Sequence, residues 1–270
     1  MDRKWLIHLV LILGAVVMVS PFLWMVLTSL KSFGEAMQVP ITILPEEWLI
    51  ENYVEVFSSV DLLRYYFNTF IVTFGRTLAQ IILCSLAAFA FARMDFPGRN
   101  IIFMVILSVL MVPMQIILIP NYGILTTLGW IDTFYALIVP GMFSAFGVFL
   151  LRQFFMGIPK ELDEAATIDG CSYFGIYWRI ILPNATPALI ALGIFTILAS
   201  WNDFLWPLVM TNSEETRMLS VGISAFQGQY STDYPLLMAA AVLSTIPMLI
   251  IFVILQKHLV SGIALQGVRR

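Results

Sequence analysis

The sequence contains few charged residues, and this scarcity excludes an ordinary water-soluble domain. Only 11% of its 270 residues are Asp, Glu, Lys or Arg, whereas about a quarter of the residues are charged in soluble domains. Apolar residues make up 60% of the chain. The two cysteines are too few for a disulfide framework. Together these features predict a protein embedded in a membrane.

Sequence features that are typical of enzymes are also missing. The chain has no G-x4-G-K-[ST] loop, the usual means of binding the phosphates of ATP. Its two histidines, His8 and His258, lie at opposite ends and form no cluster of metal ligands. No candidate nucleophile has a base near it in sequence. We therefore expect no catalytic residue, no metal site and no cofactor in this chain, and the lack of Lys/Arg runs argues against a nucleic-acid partner.

Long apolar runs predict six membrane-spanning helices, because one span needs about twenty mostly apolar residues. We expect a single transmembrane domain over residues 1–270, with spans at about 8–30, 67–92, 101–120, 134–155, 188–210 and 236–256. The first run is too long for a secretory signal peptide and no small-residue cleavage site follows it, so it predicts a retained span.

Positive charges predict the direction of the spans, because short loops rich in Lys and Arg remain in the cytoplasm. Of the 14 Lys and Arg residues, ten fall on one side of the predicted spans, three on the other, and Arg76 inside the second span. Both termini are therefore expected in the cytoplasm, and residues 158–183 form the largest cytoplasmic loop. The acidic outer loop, residues 31–66, is either a docking surface for an outer partner or a solvated connector.

The cytoplasmic loop is unusually acidic for so apolar a chain, since ELDEAATIDGCSYFGIYWRIILP occupies residues 161–183. Pro159 can begin a helix and Gly170 can end one, because proline suits a first turn and glycine tolerates positive φ. The carboxylates of its first turns favour the positive end of the helix dipole. A helix lying on lipid would carry Lys or Arg on its polar face. This acidic helix is therefore predicted to dock on a basic protein partner.

The same segment resembles the EAA loop of ABC-importer permeases. Every fixed position of the pattern E-A-A-x3-G-x9-I-x-L-P is matched, by Glu164, Ala165, Ala166, Gly170, Ile180, Leu182 and Pro183. Cys171 stands where alanine is commoner. Other short stretches are similar to the carbohydrate, or maltose-type, branch of that family: Ser29-Leu30-Lys31, Leu44-Pro45, Glu51-Asn52-Tyr53, Phe96-Pro97-Gly98, Trp201-Asn202-Asp203, Trp206-Pro207, Gly262 and Gly267.

This resemblance implies an all-α membrane protein with six transmembrane helices and a cytoplasmic coupling helix, the type I permease fold of ABC importers. The chain would be the second, six-span permease subunit in the plasma membrane of a bacterium or archaeon, and not an enzyme. Its partners would be a different permease, a dimer of ATP-binding subunits that holds ATP and Mg²⁺, an extracellular solute-binding protein and the lipid bilayer. The residues expected to couple it to the ATPase are Glu161, Asp163, Glu164, Ala165, Ala166, Asp169 and Gly170.

Polar residues inside the spans give candidates for the solute pathway, because ionisable groups there are costly and usually face a cavity or a partner. Trp201, Asn202 and Asp203 are candidates, since amides and carboxylates bind sugar hydroxyls and indole offers an apolar face. Gln115 is a further candidate. Alternatively, Trp201 and Trp206 belong to the outer aromatic belt. Asn202 and Asp203 are then structural, and pair with Arg76 or with the second permease.

The expected function is ATP-driven, binding-protein-dependent import of a di- or oligosaccharide. The chain would form half of the translocation pathway and couple it to a separate ATPase. One alternative is the same architecture for another solute, such as glycerol phosphate, although anionic cargo would need more basic residues in the spans than Arg76 alone. The other is an ion-coupled secondary transporter, which commonly shows inverted repeats that are not visible in this sequence.

Overall fold

The structure, a computed structural model, describes residues 3–228 and 232–267 of the chain. Within those ranges the regular secondary structure is helical, apart from one isolated bridge between Gln227 and Thr232. Arg269 and Arg270, which contribute to the predicted charge asymmetry, lie outside the described residues. The chain divides into two compact units, Met1–Tyr66 with Met218–Ile250, and Phe67–Arg217 with Ile251–Arg270.

The first unit contains three N-terminal helices and part of the C-terminal region. Its helices are α1 (Arg3–Ser29), α2 (Phe33–Ala36), α3 (Glu51–Ser59), the start of α4 (Leu62–Arg93), α14 (Leu219–Ile223) and much of α15 (Tyr234–Gly267). α1 is 27 residues long and exposes nearly all of its apolar side chains up to Trp24. An apolar surface of this length matches the thickness of a bilayer.

A buried polar network holds the loop after α1. Lys31 is almost fully buried, and its ammonium group donates to the carbonyl oxygen and the hydroxyl of Thr42. The Thr42 hydroxyl donates to Glu35 over 2.8 Å. The Asn52 amide donates to the carbonyl oxygens of Ser29 and Lys31, each over 2.9 Å. Because buried polar groups are costly unless they are paired, these bonds give the Ser-Leu-Lys and Glu-Asn-Tyr stretches a structural role.

The second unit consists of the remainder of α4 and a series of shorter helices. They are α5 (Arg99–Ser108), α6 (Met114–Thr127), α7 (Phe134–Ile138), α8 (Ala145–Met156), α9 (Glu161–Ile168), α10 (Tyr173–Ile176), α11 (Leu182–Asn184), α12 (Thr186–Trp201) and α13 (Leu205–Met210). Short 3₁₀ turns follow α5 and α7, at Val109–Met111 and Val139–Gly141, and a π-helical turn, Tyr177–Ile181, separates α10 from α11.

Four helical segments are each long and apolar enough to cross a membrane: Lys4–Ser29, Leu62–Arg93, Phe134–Met156 and Tyr234–Gln256. Two further segments are bent pairs of helices. Arg99–Met111 meets Met114–Thr127 at 102°, and Tyr173–Asn184 meets Thr186–Trp201 at 76°. The described residues therefore contain six candidate spans if each bent pair counts as one.

Three of the expected spans differ from single helices, and one of these is the run 134–155, which is divided between α7 and α8. The run 101–120 is interrupted at Val112, which is extended (φ −89°, ψ 117°) because the following Pro113 disfavours a helical conformation there. The run 188–210 is interrupted between α12 and α13. Pro207 lacks the N–H that would bond to the carbonyl of Asp203 in a continuous helix, so the helix must restart.

The core of the second unit brings α4, α8 and α12 into close contact. Cys84, Leu151, Phe155 and Leu192 are fully or almost fully buried within it. Gly147 permits the close approach, because an added Cβ there would lie 3.1 Å from both the Cys84 sulfur and a Leu192 methyl group. This packing holds α4, α8 and α12 together. Arg76 and Arg93 of α4 make their polar contacts from this core.

Candidate functional site

The acidic segment that begins at Glu161 forms the helix α9 within the limits expected from its sequence. α9 has eight residues and begins at Glu161, with three carboxylates in its first turn. Gly170 ends the segment with φ of +80°, a conformation that L-residues with side chains avoid. The N–H of Cys171 then donates to the carbonyl of Ala166 over 2.9 Å, as in a glycine-terminated helix.

α9 has an exposed face and a buried face, which divide the residues expected to couple to the ATPase. Ala166 is only 6% exposed, and the Asp163 side chain is 18% exposed. The other residues of the set are exposed, namely Glu161, Glu164, Ala165, Asp169 and Gly170. The seven residues that the resemblance placed in one group therefore divide between the exposed and the buried face of the segment.

Asp163 attaches α9 to the C-terminal end of α4. One of its carboxylate oxygens lies 3.0 Å from Nε of Arg93, whose side chain is 3% exposed. Nη2 of Arg93 also donates to the carbonyl of Ile158, just before α9, over 2.7 Å. Burial raises the pKa of Asp163, the positive charges of Arg93 and Lys160 oppose that rise, and the charge of Glu164 adds to it. The carboxylate is thus held by a guanidinium at the cost of desolvation.

An exposed apolar residue at the end of α9 was missed by the sequence analysis. Ile168 is 87% exposed, and it borders a cavity of about 340 Å³ together with Lys160, Glu164 and Tyr173. Tyr173 on the same cavity is also exposed, and contiguous exposed apolar side chains are typical of a surface that another protein covers. The signal was available in the sequence, since Ile168 is an apolar residue in a segment that does not cross the membrane.

A second group of polar residues lies along one face of α4, within the membrane-spanning part of the second unit. Nη1 of Arg76 lies 2.9 Å from Asp203, and Nε of Arg76 donates to the carbonyl of Leu137 over 2.6 Å. Both charged side chains are mostly buried, at 10% and 18% exposed. Gly141 makes room for the guanidinium, because a Cβ there would lie 2.8 Å from Nε. Arg76 therefore joins α4 to the Leu137 carbonyl of α7 and to Asp203 in the break after α12.

Gln80 extends this polar face by one helical turn and was also missed. Its amide nitrogen donates to the carbonyl of Gly141 over 2.7 Å, and its amide oxygen accepts from the hydroxyl of Thr196 over 2.9 Å. Thr73 and Ser200 share a further hydroxyl contact of 3.3 Å. The spacing of Thr73, Gln80 and the intervening Arg76 is helical, so a polar stripe within an apolar span could have indicated this face.

The four residues expected along the solute pathway have different environments. Asn202 and Gln115 are exposed, and the Asn202 amide donates to the carbonyl of Leu198 over 2.8 Å. Asp203 is partly buried and engaged with Arg76, as one of the alternatives anticipated. Trp201 is 7% exposed. Sequence neighbours therefore contribute differently, with an exposed amide beside a paired carboxylate and a buried ring.

The alternative assignment of both tryptophans to an outer aromatic belt is wrong in this structure. A belt residue presents its ring to the lipid interface. Trp201 and Trp206 are instead buried, at 7% and 3% exposed, and the indole N–H of Trp206 donates to the carbonyl of Ala136 over 3.0 Å. Burial within the chain, not contact with lipid, determines where these two rings lie.

Asp132 connects two loops of the second unit outside the membrane-spanning helices. Its carboxylate accepts hydrogen bonds from the backbone N–H groups of Asn212 and Ser213 and from the hydroxyl of Thr216. Desolvation acts to raise the pKa of Asp132, but the bond from Thr216 and those from the two N–H groups outweigh it and hold the pKa at about 2. The residue keeps a φ of +61° at the start of this contact.

Replacing Asp132 with alanine is expected to lower the stability of the protein at pH 7 by about 1 kcal/mol, the order of a net hydrogen-bond contribution. The pKa of Asp132 is lower in the folded state than the unfolded value of about 3.9. Its contribution is therefore present above pH 4 and lost as the pH falls toward 2. Thermal unfolding of the two proteins from pH 7 to pH 3 should show their difference shrinking. Glu214→Ala, which removes an exposed ion pair, is the control and should cost less.

Residues 80–265 match the family described as binding-protein-dependent transport system inner membrane component. The chain is 32% identical over 269 residues to the arabinooligosaccharides transport system permease protein of Halalkalibacterium halodurans, covering 98% of this chain and 96% of that protein. It is 34% identical over 265 residues to the sn-glycerol-3-phosphate transport system permease protein of Brucella suis biovar 1, covering 95% and 94%.

A solved structure with the same fold is a chain of a bacterial ABC transporter involved in the import of the acidic polysaccharide alginate. The two chains superpose with a TM-score of 0.81 at 24% sequence identity, covering 95% of this chain and 96% of that one. This likeness confirms the expected fold class, an all-α membrane protein of the type I importer permease fold.

Proposed function

The chain belongs to the family of binding-protein-dependent transport system inner membrane components, and from this premise we propose how its two polar sites serve transport. It is a permease, a transport subunit rather than an enzyme. We propose that α9 is its coupling helix, the element on which a separate ATPase acts. The observation that carries the proposal is the division of α9 into an exposed acidic face and a face attached to α4.

The exposed face of α9 suits a basic groove on the ATPase. Glu161, Glu164 and Asp169 offer carboxylates, Ala165 lets a partner backbone approach closely, and Ile168 supplies an apolar contact. Ala166, Asp163 and Gly170 serve the helix from within, by packing, by the contact with Arg93 and by ending it. Closure of the ATPase would displace α9, and the spans would switch between two discrete arrangements.

The assembly that follows from this role contains four kinds of partner. We infer a second, different permease, a dimer of ATP-binding subunits that holds ATP and Mg²⁺, an extracellular solute-binding protein and the surrounding lipid. We infer that both termini lie in the cytoplasm, because Lys and Arg are in excess on that side of the predicted spans. We infer that the membrane is the plasma membrane of a bacterium or archaeon, since the family is described as an inner membrane component.

The residues Trp201, Asn202 and Asp203 at the break between α12 and α13, together with Gln115 of α6, are proposed to form part of the pathway wall. Asn202 and Gln115 are exposed and can bond to hydroxyl groups of a solute. Asp203 is paired with Arg76, and Trp201 is buried. These two residues would therefore support the wall, and they would not bond to the solute. The chain would supply half of the pathway, and the second permease would supply the rest.

A neutral di- or oligosaccharide is the cargo that this arrangement favours. The relatives of comparable identity are named for arabinooligosaccharides and for sn-glycerol 3-phosphate, so similarity alone does not choose between sugar and anion. Arg76 is neutralised by Asp203 and bonded to the Leu137 carbonyl, which leaves its charge engaged within the protein. The same pair argues against an ion-coupled transporter, because Asp203 already has a cationic partner.

The proposal is tested by purifying the tagged chain from its native membranes in mild detergent and measuring the mass of the intact complex. We expect one copy of this chain, one of a different permease and two of a P-loop ATPase. The chain alone, or a homodimer without an ATPase after gentle cross-linking, would overturn the importer assignment. The purified complex should then be stimulated in ATP hydrolysis by binding protein loaded with a neutral oligosaccharide, and not by glycerol phosphate.

Glu164→Lys is expected to weaken retention of the ATPase in this purification by about tenfold or more, since about 1.4 kcal/mol suffices for a tenfold change. The reason is the reversal of an exposed charge that would face a basic groove. Glu55→Lys makes the same change of charge at an exposed position of the outer loop and is the control. Equal retention of the ATPase by both variants would remove Glu164 from the docking surface.

A further inference from the structure

We propose that Arg93 is a positioning residue that passes the displacement of the coupling helix directly to α4, through its contact with Asp163. This inference rests on the proposed function, because it takes α9 to be the element on which the ATPase acts. The family resemblance grouped Asp163 with the residues that couple the chain to the ATPase. In this inference Asp163 acts within the permease and does not contact the ATPase.

The contact is built as a buried joint. The Arg93 side chain is 3% exposed, and its guanidinium engages both the Asp163 carboxylate at 3.0 Å and the Ile158 carbonyl at 2.7 Å. Both partners belong to the segment that includes α9, so a single side chain at the end of α4 holds the coupling helix at two points. A guanidinium has several donors in a rigid planar arrangement, which suits such a double contact.

Without this contact, α9 would be connected to the spans mainly through the chain itself. Residues 157–160 join it to α8, and residues 169–172 lead from it toward α10. Neither connection includes α4, which lies earlier in the chain. Ala166 is buried in the same apolar cluster as Phe89 of α4, but apolar contacts are non-directional. The charged contact therefore gives α4 a directional attachment to α9.

α4 is able to carry a displacement from the cytoplasmic side to the proposed pathway wall. It is one helix from Leu62 to Arg93, and the 17 positions between Arg76 and Arg93 correspond to about 25 Å at 1.5 Å per residue. A second charged contact of α4 with a distant segment, between Arg76 and Asp203, lies at the break between α12 and α13. The two long-range ion pairs of α4 thus link the coupling helix with the region of the proposed pathway.

The unused hydrogen-bonding capacity of the pair indicates that it can strengthen when α9 moves. Oδ1 of Asp163 is buried and has no hydrogen-bond partner among the residues that the structure describes. Nε of Arg93 likewise makes no well-aligned hydrogen bond there, although it lies near Oδ2. A shift that lets the guanidinium face both oxygens would form the bidentate arrangement, which is the stronger one.

The experiment uses the intact importer in proteoliposomes, with its ATPase and loaded binding protein, and measures solute transported per ATP hydrolysed. Arg93→Gln and Asp163→Asn are each expected to lower this ratio by about 5- to 150-fold, the range of typical coupling free energies. The double variant should transport as much solute per ATP as the more strongly impaired single variant, because both substitutions break the same contact. Arg93→Lys, which keeps the charge, should retain more coupling than Arg93→Gln.

Retention of the ATPase during purification separates this role from docking. We expect both single variants to retain the ATPase as the unsubstituted chain does. Arg99→Gln and Asp95→Asn remove the same two chemical groups from a local pair in the adjoining turn, and they should leave the transport ratio unchanged. If Arg93→Gln fails to insert in the membrane, Asp163→Asn and Arg93→Lys still test the contact. The transport ratio should fall in Asp163→Asn and fall less in Arg93→Lys.

Two results would overturn the inference while leaving the proposed function intact. One is loss of the ATPase from Asp163→Asn but not from Arg93→Gln, which would make Asp163 a direct contact of the ATPase. The other is full additivity of the two substitutions, which would mean that the residues act separately. An unsubstituted chain that purifies without any ATPase would instead contradict the proposed function itself.

Discussion

Replacing Gly170 with valine is expected to remove most of the transport activity while the chain remains inserted in the membrane. Gly170 has a φ of +80°, and a residue with a Cβ in that region costs about 1–2 kcal/mol. A β-branched residue is the least suited to it. No heavy atom lies within 4 Å of a Cβ built at this position, so the cost arises from the backbone and not from a collision.

The strain would act on the end of α9, the proposed coupling helix. Relief of it requires a new path for the chain after Ile168, which would displace the exposed face that we propose contacts the ATPase. A cost of one to two kcal/mol lowers the population of the competent conformation about 5- to 30-fold. Transport by the importer in proteoliposomes should fall by a similar factor, with retention of the ATPase reduced in parallel.

Gly170→Asn is the matched control for this substitution. Asparagine fills the same open space but adopts left-handed backbone conformations more readily than other residues with side chains. It should therefore keep most of the transport activity. Equal loss with valine and asparagine would show that the side chain at this position disturbs the partner, and that backbone conformation is not the cause.

The limits of α9 could be predicted from sequence because they depend on neighbours along the chain. Three carboxylates mark its first turn, and Gly170 marks its end. The direction in which each carboxylate points could not be predicted in the same way. Asp163 faces inward because Arg93, 70 positions earlier in the chain, meets it at 3.0 Å. Local signals define a helix, whereas the partner of a side chain depends on the packing of distant segments.

The breaks within two spans show the same division. Pro113 and Pro207 are visible in the sequence, and their chemistry predicts an interruption of the helix nearby. The size of the bend, 102° where α6 begins, depends on which helices fill the space around it. Hydropathy treats the run 101–120 as one span, because it records apolar character and not backbone direction.

The contact between Arg76 and Asp203 was foreseen only as one of several alternatives. Both residues are ionisable groups in apolar spans, which marks them as a site of interest. Their separation by 127 positions leaves the choice between each other, a solute and a second permease to the tertiary structure. Gln80 was missed for a related reason, since an uncharged amide in a span is a weaker signal than a charge.

Replacing Asp203 with asparagine is expected to destabilise the permease by about 3–5 kcal/mol, the cost of leaving a buried charge without its partner. Arg76 is mostly buried, and its Nη1 would lose the carboxylate at 2.9 Å. Asparagine keeps the volume of the side chain and an oxygen near the backbone N–H of Trp206, so the change isolates the charge. The yield of folded protein in detergent and its melting temperature should both fall.

The double variant, Arg76→Gln with Asp203→Asn, is expected to recover most of that stability. Glutamine retains a donor for the Leu137 carbonyl, and a neutral pair has no charge to desolvate. Asn202→Ala, a change at an exposed neighbour, should alter stability by no more than about 0.5 kcal/mol. If the double variant is as unstable as the single one, the charge pair is not what Asp203 contributes. If it folds and still transports its solute at the normal rate, neither charge is needed for transport, and the pathway wall near α12 must act through Asn202 and its uncharged neighbours.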